Sequence, residues 1–513
     1  MPGLALADAI LGHALSSPLK VALHFDGEDI SYAQLWQRIE AATTKLVEQG
    51  VRPGDRIAWL GFNDPAMLVL LFALARVSAI LLPLNYRLAP AEISAILSHA
   101  GVNLIVTDAA HQAHDAVTGS GLRLREVNRV GANTGGRATI PDALSSAQLP
   151  GNGASPVLLV YTSGTTGKPK GALHTQAGLM ANCVISGDAH DFSASDHVLT
   201  VLPMFHVGGL CIQTLPALYA GATVTLHARF DASAWLKDVA LRQPTLSLLV
   251  PATLRAVLDH ASFAATDLSS LKLLNAGSST IPATMIEGFH ARGVPVCQVY
   301  GSTETGPVSI YLKVPDAMQR MGSAGKAGLN VDVRLVDPQG HDVESGAVGE
   351  LWICAPNVMT TYWNDPLNPA FANGWFKSGD LARRDEDGFY WVVGRSKDMI
   401  ISGGENIYPA EIENVLANCQ LILEAVVISQ PDAKWGEVAV AVVVKQPAAA
   451  LNATDVMKLF VGKLARFKHP RRVIFAESLP KTALGKIQKA GLAAWVSGQS
   501  QPPSGVNQTQ YLE

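Results

Sequence analysis

Apolar positions spaced three and four apart along residues 31–50 (SYAQLWQRIEAATTKLVEQG) predict an amphipathic helix with Ser31 as its N-cap, stopped by Gly50. RIAWL at 56–60 then reads as a strand, and 64–77 as the next helix. The most apolar stretch, 67–84, contains Arg76 and ends its run at Pro83. A membrane span needs about 20 apolar residues, so this stretch predicts a buried helix followed by a short buried strand. LIVTD, VLLVYTSG, HVLTVLP, ATVTLH and LSLLV continue the alternation of strands with helical segments. Such alternation predicts an α/β fold of mainly parallel sheets. After about residue 330 the pattern shifts to short antiparallel strands, VDVRLVD, GELWIC and GFYWVVGR, with turns at PQG and EDG. Beyond Arg395 a smaller α/β segment is expected: a helix at 409–418, strands AVVIS and VAVAVVV, and a helix at 453–464.

The chain has 513 residues, more than one hydrophobic core accommodates, so at least two domains are expected. The Gly-, Ala-, Asn- and Ser-rich stretch 131–156 reads as a surface connection inside the first of them, because strand signals resume directly after it. The formal net charge of −4 offers no global basic field for nucleic acid, so any anion site is built locally. Five scattered cysteines form no CxxC pair, which signals neither a disulfide framework nor a zinc site and fits a reducing cytoplasm. The N-terminus lacks the basic start of a signal peptide, and no transmembrane segment is predicted.

The densest chemistry is YTSGTTGKPKG at 161–171, behind the apolar run VLLV. Glycines, Gly164 among them, let a backbone approach an anion and arrange its N–H groups around it. Thr162, Ser163, Thr165 and Thr166 add hydroxyls, and Lys168 and Lys170 add charge. These parts suit a polyphosphate. The loop is not a Walker A sequence, which needs Gly where Thr162 stands and Ser or Thr where Pro169 stands.

QVYGSTETG at 298–306, FKSGDLA at 376–382, GRSKDMIISGGENIYPAEIE at 394–413 and LPKTALGKIQKA at 479–490 follow in order. Together with the loop they resemble the adenylate-forming (AMP-binding) superfamily, including its acyl-CoA synthetases, over nearly the whole chain. The resemblance implies a large N-terminal domain (1–394) of layered sheets with a small β-barrel-like part, a hinge at 395–398 centred on Lys397, a small mobile α/β lid (399–500) and a polar tail (501–513). It implies ATP, Mg2+ and coenzyme A as the reaction's small molecules. By the same resemblance, Val299 and Tyr300 face the adenine, Thr303 meets a phosphate, Glu304 holds magnesium, and Asp380 and Arg395 bind ribose. Lys486 matches the catalytic lysine, whose ammonium offsets charge building on the phosphates. Gly403 and Gly404 keep side chains off a tunnel for the pantetheine arm, Trp435 lines it, and the basic run 463–473, with Arg466 and Lys468, forms a rim for the CoA phosphates; Lys481 and Lys489 are expected in solvent.

LPMFHVGGLCIQ at 202–213 resembles the segment that lines the acyl pocket, with His206 at its carboxylate end. Gly208, Gly209, Ile212, Ala276, Gly277, Gly301, Pro307 and Val308 complete the expected pocket. No Asp follows Phe205 to pair with an amino group, which argues against amino acids. The apolar run 210–212 favours a medium- or long-chain fatty acid. Pro307 and Val308 resemble hydroxycinnamate ligases, and Asn275, Ser278 and Ser279 put polar groups at the pocket floor, so an aryl acid stays open. A carrier-protein acceptor and a non-catalytic nucleotide sensor are the remaining alternatives. The partners expected are a small carboxylic acid, ATP and CoA, with no nucleic acid, in a monomer or a homodimer.

Overall fold

The computed structural model describes residues 5–118, 123–126, 153–162, 169–277, 281–365, 368–402, 405–432, 434–481 and 487–496. Among these residues the chain forms four sheets. The largest has nine strands, with a parallel centre running Val296–Tyr300, Leu273–Gly277, Leu246–Leu249, His197–Thr200, Thr223–Leu226 and Val21–Phe25, and antiparallel strands at both edges. The second has seven, with Lys170–Thr175 antiparallel to Pro156–Thr162, and Ile80–Pro83, Arg56–Leu60, Leu104–Thr107 and Arg123–Glu126 following in parallel.

The helices Tyr32–Glu48, Pro65–Arg76 and Gln176–His190 share one hydrophobic cluster with strands of both sheets. Their ends follow from their sequences. Ser31 closes a reciprocal capping box with Gln34, and Asp64 caps the helix that begins at Pro65. Almost every side chain of Pro65–Arg76 is buried, and Ile80–Pro83 is buried throughout, as the 67–84 stretch predicts. Among the described residues no helix is long and apolar enough to cross a membrane.

The expected barrel-like part is a five-stranded antiparallel sheet that includes Asp332–Val336, Val348–Cys354, Trp375–Arg384 and Tyr390–Arg395. The smaller C-terminal unit is built on the long hairpin Ile422–Asp432 and Gly436–Lys445, joined in parallel by Arg472–Ala476. The helix expected at 453–464 ends early, at Lys458. Gly462, at φ +74, takes a left-handed conformation that no helix continues through. Most of the 131–156 connection lies outside the described residues.

Candidate active site

The strand Val296–Tyr300 runs into a turn that carries Thr303 and Glu304. A Cβ on Gly301 would sit 1.7 Å from the Pro307 carbonyl oxygen, so only glycine lets the chain fold back here. The Met359 N–H donates to the Glu304 carbonyl (2.7 Å), which ties the turn to the segment before Tyr362. The Tyr362 hydroxyl then donates to Glu304 Oε1 at 2.7 Å. Lys170 Nζ lies 5.1 Å from the centre of the same ring. Lys170 and Glu304 are thus brought to one tyrosine that no linear motif contains. His174 is buried in this neighbourhood, and burial lowers its pKa to about 4, so it is neutral at neutral pH.

The strand Pro156–Thr162 pairs antiparallel with Lys170–Thr175, with Thr162 opposite Lys170. The ends of the expected phosphate loop are therefore fixed side by side. Ser163, Gly164, Thr165, Thr166 and Lys168 lie outside the described residues, as do Ser278, Ser279, Gly403, Gly404 and Lys486.

Asp380 sits inside the strand Trp375–Arg384, directly after Gly379, which takes a left-handed φ of +71. Its partner strand places Arg395 opposite it. Arg395 Nε lies 2.7 Å from Asp380 Oδ1, and the Tyr300 hydroxyl donates to Asp380 Oδ2 at 2.8 Å. Burial, and then the Asp380 carboxylate, push the Tyr300 phenol well above its usual pKa, so it stays a donor. Tyr300, Asp380 and Arg395 thus come together from segments up to 95 residues apart.

Glu304 Oε2 has no partner among the described residues, and these hold no group of three His, Cys, Asp or Glu able to cage a metal. One open carboxylate fits Mg2+, which binds through one or two carboxylates, substrate phosphates and water. It does not fit a metal that needs an all-protein cage.

His206 precedes a short helical turn, Val207–Gly209, and a single π-helical turn, Leu210–Thr214. The glycines divide their work. A Cβ on Gly209 would lie 2.3 Å from the Pro203 carbonyl oxygen, whereas one on Gly208 would meet nothing within 4 Å. Gly209 serves close packing, and Gly208 leaves space. Ile212, Val299 and Val308 share a cluster with Leu202, Leu248 and Val250. Ala276 points the other way, into the cluster around Trp235, so only its backbone is available to the pocket side. A Cβ on Gly277 would lie 2.9 Å from the Val299 carbonyl oxygen, too close for a side chain. Asn275 is buried; its amide nitrogen meets His190 Nε2, and its Oδ1 has no partner among the described residues. Burial lowers the His190 pKa to about 4, so this imidazole is neutral, and its Nδ1–H donates to the Ser186 carbonyl at 2.7 Å.

Outside the pocket, an aromatic path leads from Phe205, beside His206, to Tyr86, Phe62 and Arg229. It borders a groove of about 1040 Å³ whose walls include Arg87, Arg229, Arg242 and Lys481. Lys481 is exposed, as expected, and pairs with Glu424; Lys489 is half-buried and pairs with Glu413. Trp435 is partly exposed with Arg471 5.2 Å from its ring centre, but Lys468 is paired with Glu411 at 2.8 Å. Of the expected basic rim, Lys468 is thus already neutralised; Arg466, two residues before it on the same short turn, is exposed. Lys397 is exposed in the turn Ser396–Asp398, between Arg395 and the C-terminal unit.

Residues 12–363 match the family model described as AMP-binding enzyme, and 411–486 its C-terminal domain. The chain is 44% identical to an indoleacetate–CoA ligase of Aromatoleum aromaticum, over 94% of this chain and 96% of that one. It is 38% identical to a feruloyl-CoA synthase of an Amycolatopsis species, over 93% and 96%. Among solved structures it resembles the o-succinylbenzoate CoA synthetase of Bacillus subtilis in complex with its acyl-adenylate intermediate, with a TM-score of 0.84, 29% identity, and 96% and 98% of the two chains covered.

Proposed function

The chain belongs to the AMP-binding enzyme family and is an ATP-dependent CoA ligase, and we propose that its acid is aromatic, an aryl-acetic or aryl-acrylic acid. The buried Asn275 carries this reading. A hydrocarbon tail leaves its Oδ1 unpaired, at a cost an apolar pocket floor does not incur, whereas a ring with a polar edge can meet it. The indoleacetate and ferulate specificities of two similar proteins support the same order. This reverses the preference that the apolar run 210–212 suggests.

The reaction has two halves. The carboxylate attacks the α-phosphorus of ATP and pyrophosphate leaves; the CoA thiolate then attacks the acyl carbon and AMP leaves. Asp380 and Arg395 take the ribose, with Tyr300 fixing the carboxylate and offering its ring face to the base. Glu304, oriented by Tyr362, would hold the magnesium, which would offset the charge of the phosphates, and Thr303 and Lys170 would meet the phosphate oxygens. His206 borders the carboxylate, and Lys486 stabilises charge on the α-phosphate. Lys397 is the pivot that exchanges Lys486 for the thiol channel between halves.

The test is CoA- and ATP-dependent thioester formation across matched aliphatic, benzoic, arylacetic and cinnamic acids, read by mass spectrometry. The arylacetic or cinnamic series should give the highest kcat/KM; a peak among straight-chain acids would overturn the proposal. Trp435 tests the second half. Trp435→Ala should slow thioester formation several-fold while pyrophosphate release stays near wild type. An unchanged thioester rate would remove Trp435 from the channel.

A further inference from the structure

Gln213 lies in the π-helical turn Leu210–Thr214, is 2% exposed, and among the described residues has no hydrogen-bond partner for either Oε1 or Nε2. Few buried amides are left wholly unpaired in a native fold. Single π-helical turns are frequent at functional sites. The side chain borders a small cavity whose walls include Gly208, Gly209, Thr200 and Leu248. That cavity, about 10 Å³, is the size that admits one water-sized polar atom. Its walls Leu202 and Leu248 also belong to the cluster of Ile212, Val299 and Val308, residues of the expected acyl pocket, so the cavity adjoins that pocket.

The neighbouring hydroxyls do not compete for an occupant. The Thr214 hydroxyl donates to the Gly209 carbonyl (2.6 Å), which leaves Thr200 to donate to Thr214 (2.7 Å). Gln213 alone on this wall keeps a complete amide, one acceptor and two donor hydrogens, available. On the same cavity wall, Gly208 leaves open the space a side chain would take.

We propose that Gln213 is a specificity-determining residue, and that it pairs with one hydrogen-bond donor carried on the ring of the acyl substrate. The proposal rests on the aromatic-acid reading above. The shared chemistry is a ring-borne donor, accepted by Oε1; a ring N–H and a phenolic hydroxyl both supply it, and a hydroxyl also accepts from Nε2. A site built this way discriminates by leaving its own amide unpaired when the wrong acid enters.

The experiment compares two pairs of acids that differ in the donor alone: indole-3-acetate against benzothiophene-3-acetate, and 4-hydroxycinnamate against cinnamate. Wild type should favour the donor-bearing member of one pair by roughly 10²-fold in kcat/KM; which pair does so identifies the donor. Gln213→Met, close in volume, should bring that ratio to within about threefold of unity, chiefly by slowing the donor-bearing acid. Its ligand-free melting temperature should equal or exceed wild type, because an unpaired buried amide is removed. An equal loss with both acids, together with a lower melting temperature, would mean a structural residue and overturn the proposal. An unchanged ratio, with aromatic acids still preferred, overturns it as well and leaves the aromatic reading standing. If straight-chain acids win outright in wild type, the aromatic reading falls, and this one with it.

Discussion

Lys486→Ala should slow acyl-adenylate formation by about 10²–10³-fold, the loss typical when one charge-stabilising donor is removed from a transition state. The same variant should convert a preformed acyl-adenylate and CoA to thioester near the wild-type rate. The separation follows from the two halves of the reaction. Negative charge accumulates on the α-phosphate and on departing pyrophosphate only in the first half. In the second, the leaving group is AMP, and the proposed ribose site, the ion pair of Asp380 with Arg395, precedes the turn Ser396–Asp398 rather than lying in the unit that carries Lys486. Lys486 stands at the far end of the chain, beyond the hinge candidate Lys397 and the whole hairpin unit. A group placed there can be withdrawn as a body. Stopped-flow pyrophosphate release and single-turnover thioester assays measure the halves independently. Equal loss in both would sink the exchange of the lysine for the thiol channel and would make Lys486 a general organiser of the site.

Local rules carried much of the fold. Ser31 states where one helix begins, and the structure begins it there; the helix expected at 64–77 starts at Pro65, capped by Asp64. The alternation of apolar strands and helices states two parallel layers, because strands buried on both faces read as continuous apolar runs. The helix expected to reach residue 464 failed because its apolar spacing continues past Lys458 into turns that Gly462 closes. Local spacing does not distinguish a helix from turns packed under the same cluster. The site was legible where a motif keeps its chemistry contiguous, as in the turn bearing Thr303 and Glu304. It was not legible where partners meet through topology. Tyr362 reaches Glu304 only because its strand pairs with Lys170–Thr175. Nothing in the composition of that strand marks it. Ala276 shows the converse: the motif names the position, but strand alternation turns its methyl away from the pocket and presents Asn275 instead. Lys468 looked like a free phosphate-binding charge because Glu411, 57 residues earlier, is invisible to a local reading.

Asp380→Ala should raise the KM for ATP by about 10²-fold or more, with a smaller effect on kcat. Asp380 spans Tyr300 and Arg395 with its two oxygens, at 2.8 and 2.7 Å. In this arrangement the carboxylate is already oriented before nucleotide arrives. Two ribose hydroxyls would each give it a hydrogen bond to a charged acceptor, worth about 1.5–3 kcal/mol apiece. Losing two at the lower end comes to about 3 kcal/mol, which is about 10²-fold in affinity. Ribose lies away from the reacting phosphorus, so the contacts are equal in ground and transition states and their loss falls on KM. The variant also strands two neighbours: Tyr300 loses its acceptor and Arg395 its counter-ion. Asp380→Asn separates these effects, since it keeps an oxygen for Tyr300 while removing the charge from Arg395. A KM between wild type and Asp380→Ala is expected for it. If Asp380→Ala melts well below wild type yet keeps its KM for ATP, Asp380 is a strut between two strands, and the ribose is held elsewhere.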